Sequence, residues 1–216
     1  MARPHRPVLT AEIIADAAIE LIDSGEPFGV NALARALGVK PPSLYNHVQG
    51  LVAIIELVRG RLAERYMADL PVNAPWDETI ESIIRAERLM YTSHPHIVPL
   101  IATSTVTDQQ AITAYDSIAS SLVDAGFPDD EVLVLVQLFD AFALGSGLDY
   151  AAPDAVWRPE GETRNLGRLL ELEPRGKVRS NQAFEIGLAM LLAAMRVRLE
   201  GHLQDQGVSG SGETSF

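Results

Sequence analysis

The chain contains no cysteine among its 216 residues. Disulfides, thiolate catalysis and cysteine-ligated zinc are therefore excluded. Long uninterrupted apolar runs are missing as well. The longest, Val132 to Leu148, is broken by Gln137 and Asp140 and reads as too short for a membrane span. The opening residues Met-Ala-Arg-Pro-His-Arg-Pro are basic, but no apolar segment of the kind found in secretory signals follows them. No nucleophile–base motif, metal cluster or phosphate-cradling loop is recognisable, so no enzyme and no cofactor is expected. A soluble, cytoplasmic protein that does not enter a membrane is the reading these absences favour.

What is present is ample apolar material, 47% of residues, with 21% charged; this suits a folded helical chain of one large domain, or of one small and one larger domain. The net charge of −12 argues on its own against nucleic-acid binding, but it is unevenly spread. Residues 1–66 hold seven basic and seven acidic side chains, and residues 67–216 hold ten basic and twenty-two acidic. Arg3, Arg6, Arg35 and Lys40 lie in the neutral part, where Glu12, Asp16 and Glu20 can share one exposed stripe of a helix. The acidic remainder would repel phosphates and leave one end of the molecule competent to dock.

Residues 29–48, GVNALARALGVKPPSLYNHV, are the most informative stretch. Ala32, Leu33, Ala36 and Leu37 recur at helical spacing, Gly38 permits a sharp turn, and Pro41 and Pro42 suit the first turn of a following helix. That helix is expected over about Pro41–His47, with Leu44 and Val48 inward and Ser43, Tyr45, Asn46 and His47 outward. A short helix presenting such groups after a tight turn reads as the second element of a helix-turn-helix. Together with Thr10, Ala17-Ala18-Ile19-Glu20-Leu21, Leu33-Ala34-Arg35-Ala36-Leu37-Gly38-Val39 and Ser43-Leu44-Tyr45-Asn46-His47-Val48, it resembles the DNA-binding unit of the TetR family of bacterial transcriptional regulators over about residues 8–60. The rest of the chain resembles the tetracycline-repressor-like regulatory domain more weakly. The resemblance implies contacts to double-stranded operator DNA by Asn31, Lys40, Pro41, Pro42, Ser43, Tyr45, Asn46 and His47. Pro42 matches a position that touches a thymine methyl in some relatives. The chain departs from the pattern at Val30 and Asn31, where a hydroxyl and sometimes an arginine are usual, and at Leu51, where a phosphate-gripping lysine is usual. Each loss removes a charge-assisted contact worth about 1–3 kcal/mol, which shifts weight onto Arg3, His5 and Arg6.

Helical periodicity and breakers predict an all-α chain: helices over about 10–24, two short ones around the Gly38 turn, one from Leu51 to Tyr66, then 77–93, a Pro-interrupted piece near 94–105, 108–125, 129–150 and 181–202. Val132-Leu133-Val134-Leu135-Val136 could pass for a strand, but the apolar pattern continues helically to Leu148. Asp129 or Asp130 is the expected cap of that helix. Residues 151–179 read as a long connection with a turn or two of helix around Asn165–Leu172. The expected organisation is a three-helix head (1–50), a connecting helix (51–70), a C-terminal ligand-binding and dimerisation bundle (71–203) and a disordered tail (204–216). Helices 129–150 and 181–202 are apolar on more than one face and carry small residues at Ala141, Ala143, Gly145, Gly147, Gly187, Ala189, Ala193 and Ala194. Paired with their copies they would form a four-helix bundle across a two-fold axis, and the family resemblance implies the same homodimer.

Met90, Tyr91, His94, Leu100, Tyr115, Leu122, Phe139, Phe142 and Trp157 mix aromatic, flexible and polar groups on the central helices and the connection, the character of a ligand pocket. His94-Pro95-His96, with Asp116, could share a metal ion; a helix end at His94 followed by an exposed ring accounts for the pair as well, and no metal is assigned. Tetracycline-binding relatives use a histidine where this chain aligns Ile101, so tetracycline is not the implied effector. Arg85 and Arg88 are expected to pair with Glu81 and Glu87 on the surface, leaving no charge aimed inward. These readings converge on a regulator, most simply a repressor, released from a palindromic operator by a small apolar effector; the alternative is a ligand-binding or protein-interaction dimer that no longer grips DNA specifically.

Overall fold

The computed structural model describes residues 9–210 apart from 72 and 173, with backbone only for 205–210. The described residues form ten helices and no strand: α1 (Ala11–Asp23), α2 (Val30–Ala36), α3 (Pro41–Tyr45), α4 (Gly50–Tyr66), α5 (Trp76–Ser93), α6 (Val98–Ile101), α7 (Gln109–Ala125), α8 (Asp129–Ala151), α9 (Leu166–Leu170) and α10 (Gly176–Gly210). The all-α class expected from periodicity is the class observed. The chain divides into two compact units, one of residues 1–69 and 93–115, the other of 70–92 and 116–216.

In the first unit, Thr10 caps α1 by accepting the Ile13 amide at 3.3 Å. Ile14, Ala18 and Ile22, one helical turn apart, are buried with Leu33, Leu44, Ile54, Val58 and Leu62. Asp16 does not join Glu12 and Glu20 in a solvated stripe. It accepts from Arg61 Nε at 2.8 Å and also pairs with Arg65, tying α1 to α4.

A buried ion pair on α4 explains why residues 93–115 cluster with the head and not, as the sequence suggested, with the C-terminal body. Arg59 donates to Glu56 (2.9 Å), to the Ile101 carbonyl (2.9 Å) and to Ser104 Oγ (2.6 Å), while Glu56 accepts the Thr107 and Asp108 amides. Burial pushes the Glu56 carboxyl up, but these donors outweigh it and hold the group below the usual range. The segment leading into α7 is thus fastened to α4. Asp108 then caps α7 through the Gln110 and Ala111 amides, and its carboxylate occupies the space that a Cβ on Gly60 would need. Gly60→Ala should therefore displace the cap and lower stability by about 1–3 kcal/mol; a urea midpoint equal to the unmodified protein's would contradict this close approach.

In the second unit the core gathers Ile80, Ile83, Ile84, Ile118, Leu122, Phe127, Phe139, Phe184, Leu188 and Leu192. α7 ends in a glycine turn at Gly126 (φ +101°) that returns the Phe127 amide to the Leu122 carbonyl. α8 starts directly at Asp129, with Pro128 as its extended N-cap and no side-chain cap bond. Asp129 and Asp130 are thus first-turn residues, placed against the positive helix end rather than capping it. The strand-like Val132–Val136 run is helical. α8 has 23 residues, and one 18-residue window of it reaches a mean hydropathy of 1.6, long and apolar enough to cross a membrane by length and composition alone, with a third of that window buried inside the protein. Only one of its faces is used inside the unit, that of Val132, Val136, Phe139, Ala143 and Gly147.

α10 begins five residues before the expected Asn181 and runs to Gly210, through the first half of the stretch read as a disordered tail; residues 211–216 of that tail lie outside the described residues. Its middle is held by ion pairs that sequence distance conceals: Arg196 on Asp77, Arg198 on Glu131, and Arg85 donating twice to Glu185 at 2.7 and 2.8 Å.

Candidate functional site

α2 closes with the hydrogen-bond pattern of a left-handed glycine cap. Gly38 has φ +65°, its amide meets the Arg35 carbonyl at 3.1 Å, and the Val39 amide reaches back to Ala34 at 2.9 Å. Lys40 is the extended N-cap of α3, with Pro41 and Pro42 in the first turn. α3 is shorter than expected. It ends at Tyr45, after which the His47 amide bonds the Leu44 carbonyl in a tighter turn (2.9 Å), so Asn46 and His47 project from the turn beyond the helix. Leu44 and Val48 are buried as the spacing predicted. Asn31, Lys40, Pro42, Ser43, Tyr45, Asn46 and His47 are exposed and Pro41 is half-buried. Tyr45 is 54% exposed although it is a large ring. The stretch is uniform in sign: no acidic residue occurs between Glu26 and Glu56, while Arg35 and Lys40 are exposed. Leu51, where a lysine is usual in the resemblance, is 39% exposed and apolar. Arg3, His5 and Arg6 lie outside the described residues.

The ligand candidates are divided between the two units. His94, Leu100 and Tyr115 belong to the first, and Met90, Tyr91, Leu122, Phe139, Phe142 and Trp157 to the second. His94 is engaged through both ring nitrogens, Nδ1 with Asp23 Oδ2 at 2.6 Å and Nε2 with Tyr66 Oη at 3.0 Å, and its ring meets Tyr66 edge to face. His96 Nδ1 faces the Asp23 backbone carbonyl at 3.3 Å. Both of His94's metal-binding atoms therefore have protein partners, and no group of three His, Asp or Glu among the described residues is arranged around an ion. Leu100 and Tyr115 are half-buried. Met90, Tyr91, Leu122 and Phe139 are buried, while Phe142 stacks on Phe184 with centroids 5.4 Å apart. Trp157 is half exposed, with the Arg179 guanidinium 4.9 Å from its ring centre.

Glu87 is not the surface partner of an arginine that its helical spacing suggests. Arg85 does take Glu81 as expected, and Glu185 besides. Arg88 instead donates to Ser146 and Asn181, both at 2.7 Å, and lies 4.4 Å over the Phe184 ring. Glu87 is 4% exposed and its Oε2 has no hydrogen-bond partner. Burial first, and the Asp140 carboxylate second, push its carboxyl up to about 8. The signal was in the sequence: Glu87 falls three and four residues after Ile84 and Ile83 and before Met90 and Tyr91, on the apolar stripe of α5.

The sequence profile described as the tetracyclin repressor-like C-terminal domain matches residues 70–199, more than half of the chain. The chain belongs to this TetR-like family. An HTH-type transcriptional regulator of Saccharopolyspora erythraea is 24% identical over 168 residues, 77% of this chain and 70% of that protein. The class D tetracycline repressor protein of Escherichia coli is 26% identical over 207 residues, 91% of this chain and 93% of that one. Among solved structures, BioQ with its natural double-stranded DNA operator superimposes with a TM-score of 0.63 at 20% identity, covering 87% of this chain and 98% of that one, a likeness of fold.

Beyond the head, the TetR-like body leaves an apolar surface uncovered. Leu133, Val134, Leu138 and Leu148 on α8 and Ile186, Met190 and Val197 on α10 are all more than 40% exposed. A groove of about 410 Å³ runs between the two helices over Val134, Leu138, Leu191 and Ala194. The small residues sort into two sets. Ala141, Gly145, Ala189, Ala193 and Ala194 are exposed, whereas Ala143 and Gly147 are buried and Gly187 half-buried. Gly187 lies under the Phe142 ring, where a Cβ would sit 2.7 Å from it, so these three serve packing within the chain and not a partner.

Proposed function

We propose that this TetR-like protein is a homodimeric, DNA-binding transcriptional repressor that leaves a palindromic operator when a small molecule occupies its C-terminal unit. The observation that carries the reading is the exposed polar face of α3 and its flanking turns, set in a stretch free of acid in a chain of net charge −12. An acidic protein that keeps one stretch of its chain free of acid, and turns phenol, amide, hydroxyl and imidazole groups outward there, is suited to a phosphate backbone and the base edges beside it. The HTH-type regulator and the operator complex among its relatives support the same reading.

Two-fold pairing supplies the rest of the mechanism. The apolar faces of α8 and α10 cover one another when two copies form a four-helix bundle, and the heads then enter successive major grooves about 34–36 Å apart. α4 ends at Tyr66, and the chain passes from there into the second unit at Leu70; an effector can shift head spacing only by preferring one spacing over another. Such a regulator acts on cytoplasmic DNA. Along the chain we place a DNA-binding head in residues 1–50, a connecting helix in 51–70 and a regulatory body in 71–203, of which residues 93–115 belong to the same compact unit as the head.

Selection of bound fragments from random DNA, followed by a salt-dependent shift assay, tests the proposal. A single two-fold motif is expected, and Tyr45→Ala and Asn46→Ala should each weaken specific binding about 5- to 100-fold, the range of one lost base-edge contact, without loss of helical signal. Recovery of no motif from the selection would leave the second reading, a ligand-binding dimer without specific DNA affinity, which the apolar Leu51 favours.

A further inference from the structure

We infer that the second unit takes an effector whose apolar body carries a protonated nitrogen, held by the carboxyl of Glu87. The inference deepens the proposed repressor function and rests on it.

Glu87 is the anomaly of the α5 core. It is 4% exposed, and its neighbours one helical turn away on either side, Ile83, Ile84, Met90 and Tyr91, are all buried. Its Oε2 meets no donor. A buried carboxyl ordinarily finds a guanidinium or several amides, because leaving it unpaired is costly. The nearest cations in sequence are committed elsewhere: Arg85 to Glu81 and Glu185, Arg88 to Ser146 and Asn181 and to the face of Phe184. What does act on Glu87 across the helix pair is a second acid, Asp140 of α8. A buried carboxyl oxygen without a donor, with no described arginine or lysine paired to Glu87 and a second acid acting on it, makes a setting that a ligand cation completes.

The surroundings define the remainder of that ligand. Met90, Tyr91 and Phe139 are buried side chains of the same two helices, and flexible or aromatic groups of this kind suit a ring system. An ammonium brought against Glu87 displaces the proton that burial keeps there and gains a charge-assisted bond in a low-dielectric setting; an alcohol of the same shape gains at most a neutral one, and a carboxylate can form no ion pair with the acid. The ligand class is therefore an aromatic or polycyclic amine. This amends the expectation from sequence that the effector meets no inward charge.

A charge series on one ring tests it: 1-naphthylmethylamine, 1-naphthalenemethanol and 1-naphthoate, measured by calorimetry and thermal shift on the full-length protein at neutral pH. The amine is expected to bind at least about tenfold tighter than the alcohol, with naphthoate weakest. Glu87→Gln should erase the preference, and Asp140→Asn should reduce it. Equal binding of amine and alcohol, preference for naphthoate, survival of the amine preference in both variants, or binding of no member overturns the inference. Operator selection with the unliganded protein is run separately. Its failure removes the repressor reading and leaves the amine site standing, whereas a missing amine preference removes the site and leaves the operator result untouched.

Discussion

Gly145→Trp is expected to yield a folded monomer, and Gly147→Trp, two residues along the same helix, to break the fold itself. The difference follows from what each glycine faces. A Cβ on Gly145 would meet nothing within 4 Å, whereas one on Gly147 would lie 2.5 Å from Tyr91 Cβ. At Gly147 the α5 and α8 backbones approach too closely for any side chain, and Tyr91, 4% exposed, cannot swing out without opening the core. Overpacking at such a site costs typically 1–3 kcal/mol for small insertions and more for an indole. Gly145 is exposed in the single chain, so an indole there is tolerated until a second copy seats on α8 and α10. Sedimentation and thermal melts of both variants separate the cases. If the Gly145→Trp variant dimerises as well as the unmodified protein does, the partner sits on another face, and operator binding through paired half-sites loses its geometric basis.

The pair of glycines also shows where sequence reasoning stopped. Small residues on α8 and α10 pointed to close packing, but composition does not say against what; Ala143, Gly147 and Gly187 turned out to pack within the chain, while Ala141, Gly145 and Ala193 are exposed. The head was far more legible, because its signals are local. Thr10 as a cap, Gly38 as a turn, and Leu44 and Val48 as the inward pair each depend on residues within one or two helical turns. The Glu56–Arg59 cluster was invisible for the opposite reason: Arg59 reaches the Ile101 carbonyl and Ser104 across more than forty positions, and no periodicity reports such a pairing. For α8, the helical period outweighed the β-branched run at Val132–Val136, as tertiary packing commonly does. Glu87 carried two opposing signals. Its i+3 and i+4 spacing to the isoleucines put it on the buried stripe, but its neighbouring arginines suggested an exposed pair.

That buried carboxyl should dominate the pH dependence of stability. Burial first and Asp140 second raise Glu87 to about 8 in the folded chain, against an ordinary value near 4.3 once the chain unfolds. Between about pH 4.5 and 8 the native state therefore keeps a proton that the unfolded state has released. Stability falls as pH rises through that window, at up to about 1.4 kcal/mol per unit, and this contribution is flat on either side. Glu87→Gln removes the titrating group while keeping its shape. The variant is expected to match the unmodified protein near pH 4.5 and to exceed it by roughly 4–5 kcal/mol at pH 8. The partly exposed acids held below their ordinary range, Asp77 by Arg196 and Glu185 by Arg85, act with the opposite sign and in another window. Their pairs contribute above the unfolded carboxylate range and are lost as acid protonates them, each worth less than about 1 kcal/mol because water screens them. Denaturant melts at pH 4.5, 6 and 8 follow the Glu87 effect, and a further melt at pH 3 reads the loss of the ion pairs. Parallel pH profiles for Glu87→Gln and the unmodified protein would mean that Glu87 is charged and paired in solution, and the same result would withdraw the reason for expecting an amine beside it.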